Sequence, residues 1–139
     1  MTTYFDASVI LRIVLGQPDA LDGWVDLQPC VASRLAEVEC FRTLDRVRLE
    51  QRIDDETMSL VLATTLRLLR GVELIEASPR LLREASRPMP LVLGTLDAIH
   101  LTTAVAWRDQ QGDDDLLLAT HDDALGRAAR SQGLHVIGV

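Results

Sequence analysis

Apolar residues fall along this chain in short β-type runs separated by longer stretches of helical periodicity, and this alternation sets the expected architecture. A strand at Thr3–Phe5 leads into a helix at Ser8–Leu15, closed by the turn Gly16-Gln17-Pro18. A short helix is expected around Ala20–Leu27, then a brief strand at Cys30–Ala32. Ser33 is a candidate N-cap, with Leu35, Val38, Phe41 and Leu44 at helical spacing behind it. Asp54-Asp55-Glu56 opens another helix that runs through Arg70 and stops at Gly71, and Val72–Glu76 has strand character. Pro79–Ala85 predicts a short helix, Arg87–Pro90 a loop, and Leu96–Gln110 a longer helix with Thr95 as candidate cap. The turn Gln111–Asp115 precedes a strand at Leu116–Thr120, a helix at Ala124–Gln132 and a strand at His135–Val139. Strands alternating with helices predict an α/β fold, a mostly parallel sheet covered on both faces.

The helix after Asp54 carries more apolar residues than one buried stripe needs: Met58, Leu60, Val61, Leu62, Ala63, Leu66, Leu68 and Leu69. Most belong to a core; the excess suits a partner or dimer surface. With 139 residues, 47% of them hydrophobic, the chain is expected to form one domain spanning 1–139. The first apolar run has no basic stretch before it and is broken at Arg12, so neither a signal peptide nor a membrane span is expected, and the location follows as cytoplasmic. Cys30 and Cys40 lack C-x-x-C spacing and a nearby His, which predicts buried, reduced thiols.

Charge changes the picture. The formal net charge is −7, and all 14 basic residues are arginine. Mechanisms that need a lysine are excluded. An acidic chain is not expected to hold nucleic acid strongly through backbone phosphates alone. A divalent cation held by several carboxylates would cancel part of the excess, and a basic protein partner is the other natural complement.

Four acids stand where apolar segments give way to turns or helices: Asp6 after the first strand, Asp122 after the strand at Leu116–Thr120, Glu39 beside a helical apolar stripe, and Asp97 in a first helical turn. In open parallel sheets, ligands bind outside the carboxyl ends of the strands. Each acid also has an ordinary structural use: Asp6 and Asp122 as N-caps, Glu39 paired with Arg42 or Thr43, Asp97 as a favourable charge at a helix start. If all four converge within about 5 Å, each unscreened pair repels by about 3 kcal/mol at an effective dielectric near 20. Such a group needs a cation, and hard oxygen donors without a His or Cys set select Mg²⁺ or Mn²⁺. Waters on that ion exchange for substrate phosphates, which points to phosphodiester hydrolysis. Ser8 and Thr120, each two residues from a key Asp, can support a carboxylate or a metal-bound water; turn or cap hydroxyls are the alternative. Asp113-Asp114-Asp115 suits a solvated turn, His100 a packed or hydrogen-bonded histidine, and Arg108, Arg127 and Arg130 helix-surface charges. His121, beside Asp122, could touch substrate.

These pieces in this order resemble a PIN-domain ribonuclease, specifically the toxin of the VapBC toxin-antitoxin class. They are Tyr4-Phe5-Asp6-Ala7-Ser8-Val9-Ile10-Leu11, Ser33 through Glu39 with Arg42, Leu96-Asp97-Ala98-Ile99-His100-Leu101, Leu118-Ala119-Thr120-His121-Asp122, and Gly133-Leu134-His135-Val136. The resemblance spans the chain. It implies an α/β/α sandwich, a Mg²⁺- or Mn²⁺-dependent endoribonuclease, and a homodimer inhibited by a VapB-type antitoxin. Carried over by position, Asp6, Glu39, Asp97 and Asp122 are the catalytic and metal-binding acids, and Thr120 is the hydroxyl before the last of them. His121 departs from the pattern, which often has an aromatic or apolar residue there.

Rivals fit less well. A haloacid-dehalogenase-type phosphatase needs a second Asp where this chain has Ser8, and a lysine downstream; a phosphorylation-receiver domain lacks its acidic pair and lysine here. No Gly-rich phosphate loop is present. A PIN nuclease of RNA maturation, or a PIN-like module that binds RNA or protein without cutting, remains the alternative to the toxin.

Overall fold

The computed structural model describes residues Met1–Val139 as a three-layer α/β/α sandwich around a five-stranded parallel sheet. The strands are β1 (Thr3–Phe5), β2 (Cys30–Ser33), β3 (Val72–Ile75), β4 (Leu117–Ala119) and β5 (His135–Ile137), in the spatial order β3-β2-β1-β4-β5. The helices are α1 (Ala7–Val14), α2 (Arg34–Leu49), α3 (Asp55–Arg70), α4 (Pro79–Ala85), α5 (Thr95–Gln111) and α6 (Asp123–Ser131). The chain builds outward from β1 to β3 on one side, then crosses to build β4 and β5 on the other. Its topological switch point therefore lies between β1 and β4, where a crevice opens at the strands' carboxyl ends.

Strand alternation sorts side chains into two cores. Phe5, Cys30, Ala32, Val72 and Ala119 face α1, α2 and α3, while Tyr4, Val31 and Leu118 face α5 and α6. Both faces are buried, as parallel strands require. Both cysteines are free and buried, and burial pushes the thiols up, Cys30 to about 11 and Cys40 to about 12. They behave as small apolar residues, as expected. No helix is long and apolar enough to cross a membrane.

Caps follow the sequence in most places. Ser33 accepts from the Leu35 N–H and Asp54 from the Thr57 N–H, each satisfying a donor that a helix start leaves open. Three expectations about helices need correction. The helix expected around Ala20–Leu27 is only a single 3₁₀ turn, Trp24–Asp26, because Gly23 sits at φ +66°, a left-handed position that breaks helical propagation. The cap of α5 is Gly94, which has no side chain to bond, so Thr95 is already helical and does not cap. On α2 the buried stripe is Ala36, Cys40, Leu44 and Val47, and Val38 is exposed. That stripe packs into the cluster shared with α1 and α3, with Phe41 partly buried beside it, so the buried face is turned from the expected one by part of a turn.

On α3 the core stripe is Met58, Val61, Thr65 and Leu69, at alternating three- and four-residue spacing, and the surplus Leu60 and Leu66 are exposed. β5 stops at Ile137, short of the expected Val139, because Gly138 takes φ +96°.

Candidate active site

The rim at the switch point is organised around Asp6. Asp6 occupies the N-cap position of α1, yet its side chain makes no cap bond. Instead one carboxylate oxygen, Oδ2, accepts from Ser8 Oγ at 2.5 Å and from Thr120 Oγ1 at 2.9 Å. The residue is 5% exposed. A buried carboxylate costs free energy unless donors compensate it, and two hydroxyls on one oxygen do so while leaving Oδ1 facing the rim's other groups. Both hydroxyls expected to support a carboxylate are thus in that role.

Asp122 shares the position and not the use. Its Oδ1 accepts from the Leu125 N–H at 2.9 Å, so it caps α6. Its own N–H donates to Thr120 Oγ1 at 3.0 Å, and the N–H of His121 donates to Ser8 Oγ at 2.9 Å. Segment 120–122 is therefore bound to the β1–α1 junction by both hydroxyls.

Glu39 does not pair with Arg42, which bonds Asp45 at 3.1 Å. It accepts from His100 Nε2 at 2.5 Å, and the same nitrogen lies 3.7 Å from Asp6 Oδ1. His100 is 1% exposed. Its Nδ1, in the neutral ring, accepts from the Tyr4 hydroxyl at 2.9 Å, and that hydroxyl accepts from the Ser33 N–H at 3.2 Å. Burial opposes charge on His100, but the bond to Glu39 and the charges of Asp6, Glu39 and Asp97 outweigh it and raise its pKa. Burial, then the Asp6 charge, push the Tyr4 phenol well above its ordinary value. Tyr4 was placed as a strand residue; its part in this chain of bonds was not expected. The clue was available, since a Tyr on a fully buried strand must find a partner for its hydroxyl.

Asp97, in the first turn of α5, is pushed up to about 6, first by partial burial and then by the charges of Asp122 and Asp6, with Glu39 adding and His100 opposing. Its proton affinity registers the other three acids. Even so, no three His, Cys, Asp or Glu side chains stand close enough together to hold one ion. The fold brings the acids to one rim without closing them into a ready coordination sphere.

The remaining candidates lie elsewhere. Asp113 accepts from the Thr2 N–H in a turn, Arg108 bonds Asp109 and the carbonyl of Gln132, Arg130 bonds the carbonyl of Val139, and Arg127 is exposed. His121 donates from Nδ1 to the Gly138 carbonyl at 3.0 Å.

Residues 3–131 match the PIN domain family. The chain belongs to the PIN-domain family. This PIN domain is 33% identical over 138 residues to Ribonuclease VapC46 of Mycobacterium tuberculosis, a match that covers 96% of this chain and 95% of that protein. The resemblance to a VapC ribonuclease therefore holds along the whole chain. Its fold is also that of PAE2754 from Pyrobaculum aerophilum, with TM-score 0.63, 17% identity, and coverage of 98% of this chain and 83% of the other.

Proposed function

We propose that this PIN domain, taken as a single domain over residues 1–139, is a Mg²⁺- or Mn²⁺-dependent endoribonuclease. Homology to a VapC ribonuclease supports nuclease activity. The observation that carries the metal assignment is Asp6, a buried carboxylate held on Oδ2 by Ser8 and Thr120 with no arginine paired to it, and the neighbouring acids together push Asp97 up to about 6. Partly buried negative charge that is not compensated by arginine is what a divalent cation satisfies. Mg²⁺ binds proteins through one or two carboxylates and keeps several waters. The donor set here, oxygens on separate elements with no cage of three, fits that mode better than a fully protein-ligated ion.

In this reading Asp6, Glu39, Asp97 and Asp122 hold the ion directly or through its waters. A bound divalent ion would supply charge neutralisation at the phosphate and an activated water near neutral pH. Ser8 and Thr120 fix Asp6, leaving one oxygen free for the site. His100, braced by Tyr4, fixes Glu39. Kinship with a VapC ribonuclease supports a toxin role in a type II pair, acting in the cytoplasm, with a VapB-type antitoxin, an RNA substrate and a homodimeric state. The acidic surface suits a basic antitoxin.

The test is cleavage of total bacterial RNA by purified protein with Mn²⁺ or Mg²⁺ and with EDTA, beside Asp6→Asn. Discrete fragments that require metal and vanish in the variant support the reading. Cleavage that survives EDTA or the substitution overturns the metal site. Growth arrest on expression without a partner, relieved by the cognate antitoxin, supports the toxin role; harmless expression of active enzyme would move the assignment to RNA maturation.

A further inference from the structure

We propose that the Gly138–Val139 segment, with His121, is a strap that sets the position of Asp122 relative to Asp6. This rests on the metal-site reading above. Segment 120–122 is gripped from two sides. On the site side, Thr120 Oγ1 and the His121 N–H bind Asp6 and Ser8. On the far side, the Thr120 N–H donates to the Ile137 carbonyl at 3.1 Å and His121 Nδ1–H donates to the Gly138 carbonyl at 3.0 Å. His121 Nε2 has no partner, so that one bond orients the ring.

The two backbones also meet without a side chain between them. A Cβ at Gly138 would be driven into the Thr120 carbonyl oxygen, and its φ of +96° disfavours any other residue. Val139 is pinned in turn on α6: its carbonyl accepts from Arg130 Nη2 at 2.8 Å, and its side chain covers Gly126, where an added Cβ would lie 2.5 Å from Val139 Cγ2. Asp122 begins that same helix. The strap therefore ties both the loop before Asp122 and the helix after it to one short piece of chain. His121, where the chain departs from the resemblance, is the side chain that makes the tie. Neither His121 nor Gly138 touches the reacting atoms in this assignment; both are positioning residues.

Four proteins test it: wild type, Gly138→Ala, His121→Ala and His121→Asn, whose amide NH₂ replaces the Nδ1–H donor. The readouts are the melting temperature in EDTA and its rise on Mn²⁺ titration, which reports metal affinity without turnover. Loss of a group that orients metal-binding residues typically weakens metal affinity by about 10–100-fold. Gly138→Ala and His121→Ala should weaken apparent Mn²⁺ affinity by about tenfold, with His121→Asn restoring it to within about twofold of wild type. A folded Gly138→Ala with wild-type Mn²⁺ response, or His121→Ala and His121→Asn that respond alike, overturns the strap. Should Gly138→Ala fail to fold, the two His121 variants decide alone. If wild type itself shows no Mn²⁺ response, the metal reading fails and the strap with it, an outcome distinct from variants that match a responsive wild type.

Discussion

The β1–α1 and β4–α6 junctions look alike in sequence, each an apolar strand, then an Asp, then a helix, but they spend that Asp differently. Asp122 caps its helix through Leu125 N–H, whereas Asp6 leaves its helix uncapped and collects two hydroxyls. An acid at a helix start that declines the cap is held for other work, because a cap bond is the nearest available stabilisation, worth about 1 kcal/mol. The junctions share Thr120, whose hydroxyl donates to Asp6 and accepts from the Asp122 N–H.

The difference can be broken hardest at Asp6. Asp6→Asn should lower metal-dependent cleavage by at least about 10²-fold, the scale for losing one electrostatic element of a hydrolytic site, with no loss of helix capping; retained activity in an RNA cleavage assay refutes the assignment. Next is the link between the junctions. Thr120→Val keeps the shape but removes both hydroxyl bonds, and should weaken Mn²⁺ affinity by about 10–100-fold as read by metal-dependent melting.

Asp122 should separate its two uses. Asp122→Asn keeps a good cap, and Asp122→Ala should lose about 1 kcal/mol more on denaturant unfolding in EDTA. Both should lose activity. Equal stability of the two would mean that the cap bond contributes nothing.

The smallest effect is in pH. The folded pKa of Asp97, about 6, lies above its ordinary value of 3.8, so its ionisation opposes folding above pH 6 and that penalty disappears as pH falls toward 4. His100, also raised, contributes stability below its unfolded value near 6.5 that is lost as pH rises through its folded value. Both signs agree: in EDTA the protein should melt higher at pH 5.5 than at pH 7.5. Asp97→Asn should raise stability at pH 7.5 by about 1 kcal/mol after allowance for solvent screening, and flatten the profile. A metal-free melting temperature that climbs from pH 5.5 to 7.5 would contradict this.

Most of the architecture was legible because parallel strands buried on both faces leave near-continuous apolar runs, and the helices between them carry caps at Ser33 and Asp54. What escaped was set by tertiary contact or by backbone conformation. The face α2 buries is set by its packing into the cluster it shares with α1 and α3, not by its own most apolar stripe. Gly23 reads as an ordinary small residue until its positive φ is known. For the site, Asp6, Asp97 and Asp122 stand at or near element boundaries and Glu39 lies inside α2, but that Asp6 is held by a hydroxyl rather than capping its helix is decided by a partner 114 residues away. The pairing of His100 with Glu39, across 61 residues, could not be seen from local sequence, where Arg42 was the nearer partner.

The spatial order β3-β2-β1-β4-β5 has a further consequence for a protein made from one end to the other. While a ribosome is still extending the chain, β1 can pair with β2 but keeps a bare edge, and Asp6 lacks the hydroxyl at 120 that fixes it. Only when residues 117–119 emerge and seal that edge does the rim acquire its second junction. The rim proposed to act on RNA is therefore assembled from both ends of the chain, and its first half alone leaves Asp6 without one of its two hydroxyl donors.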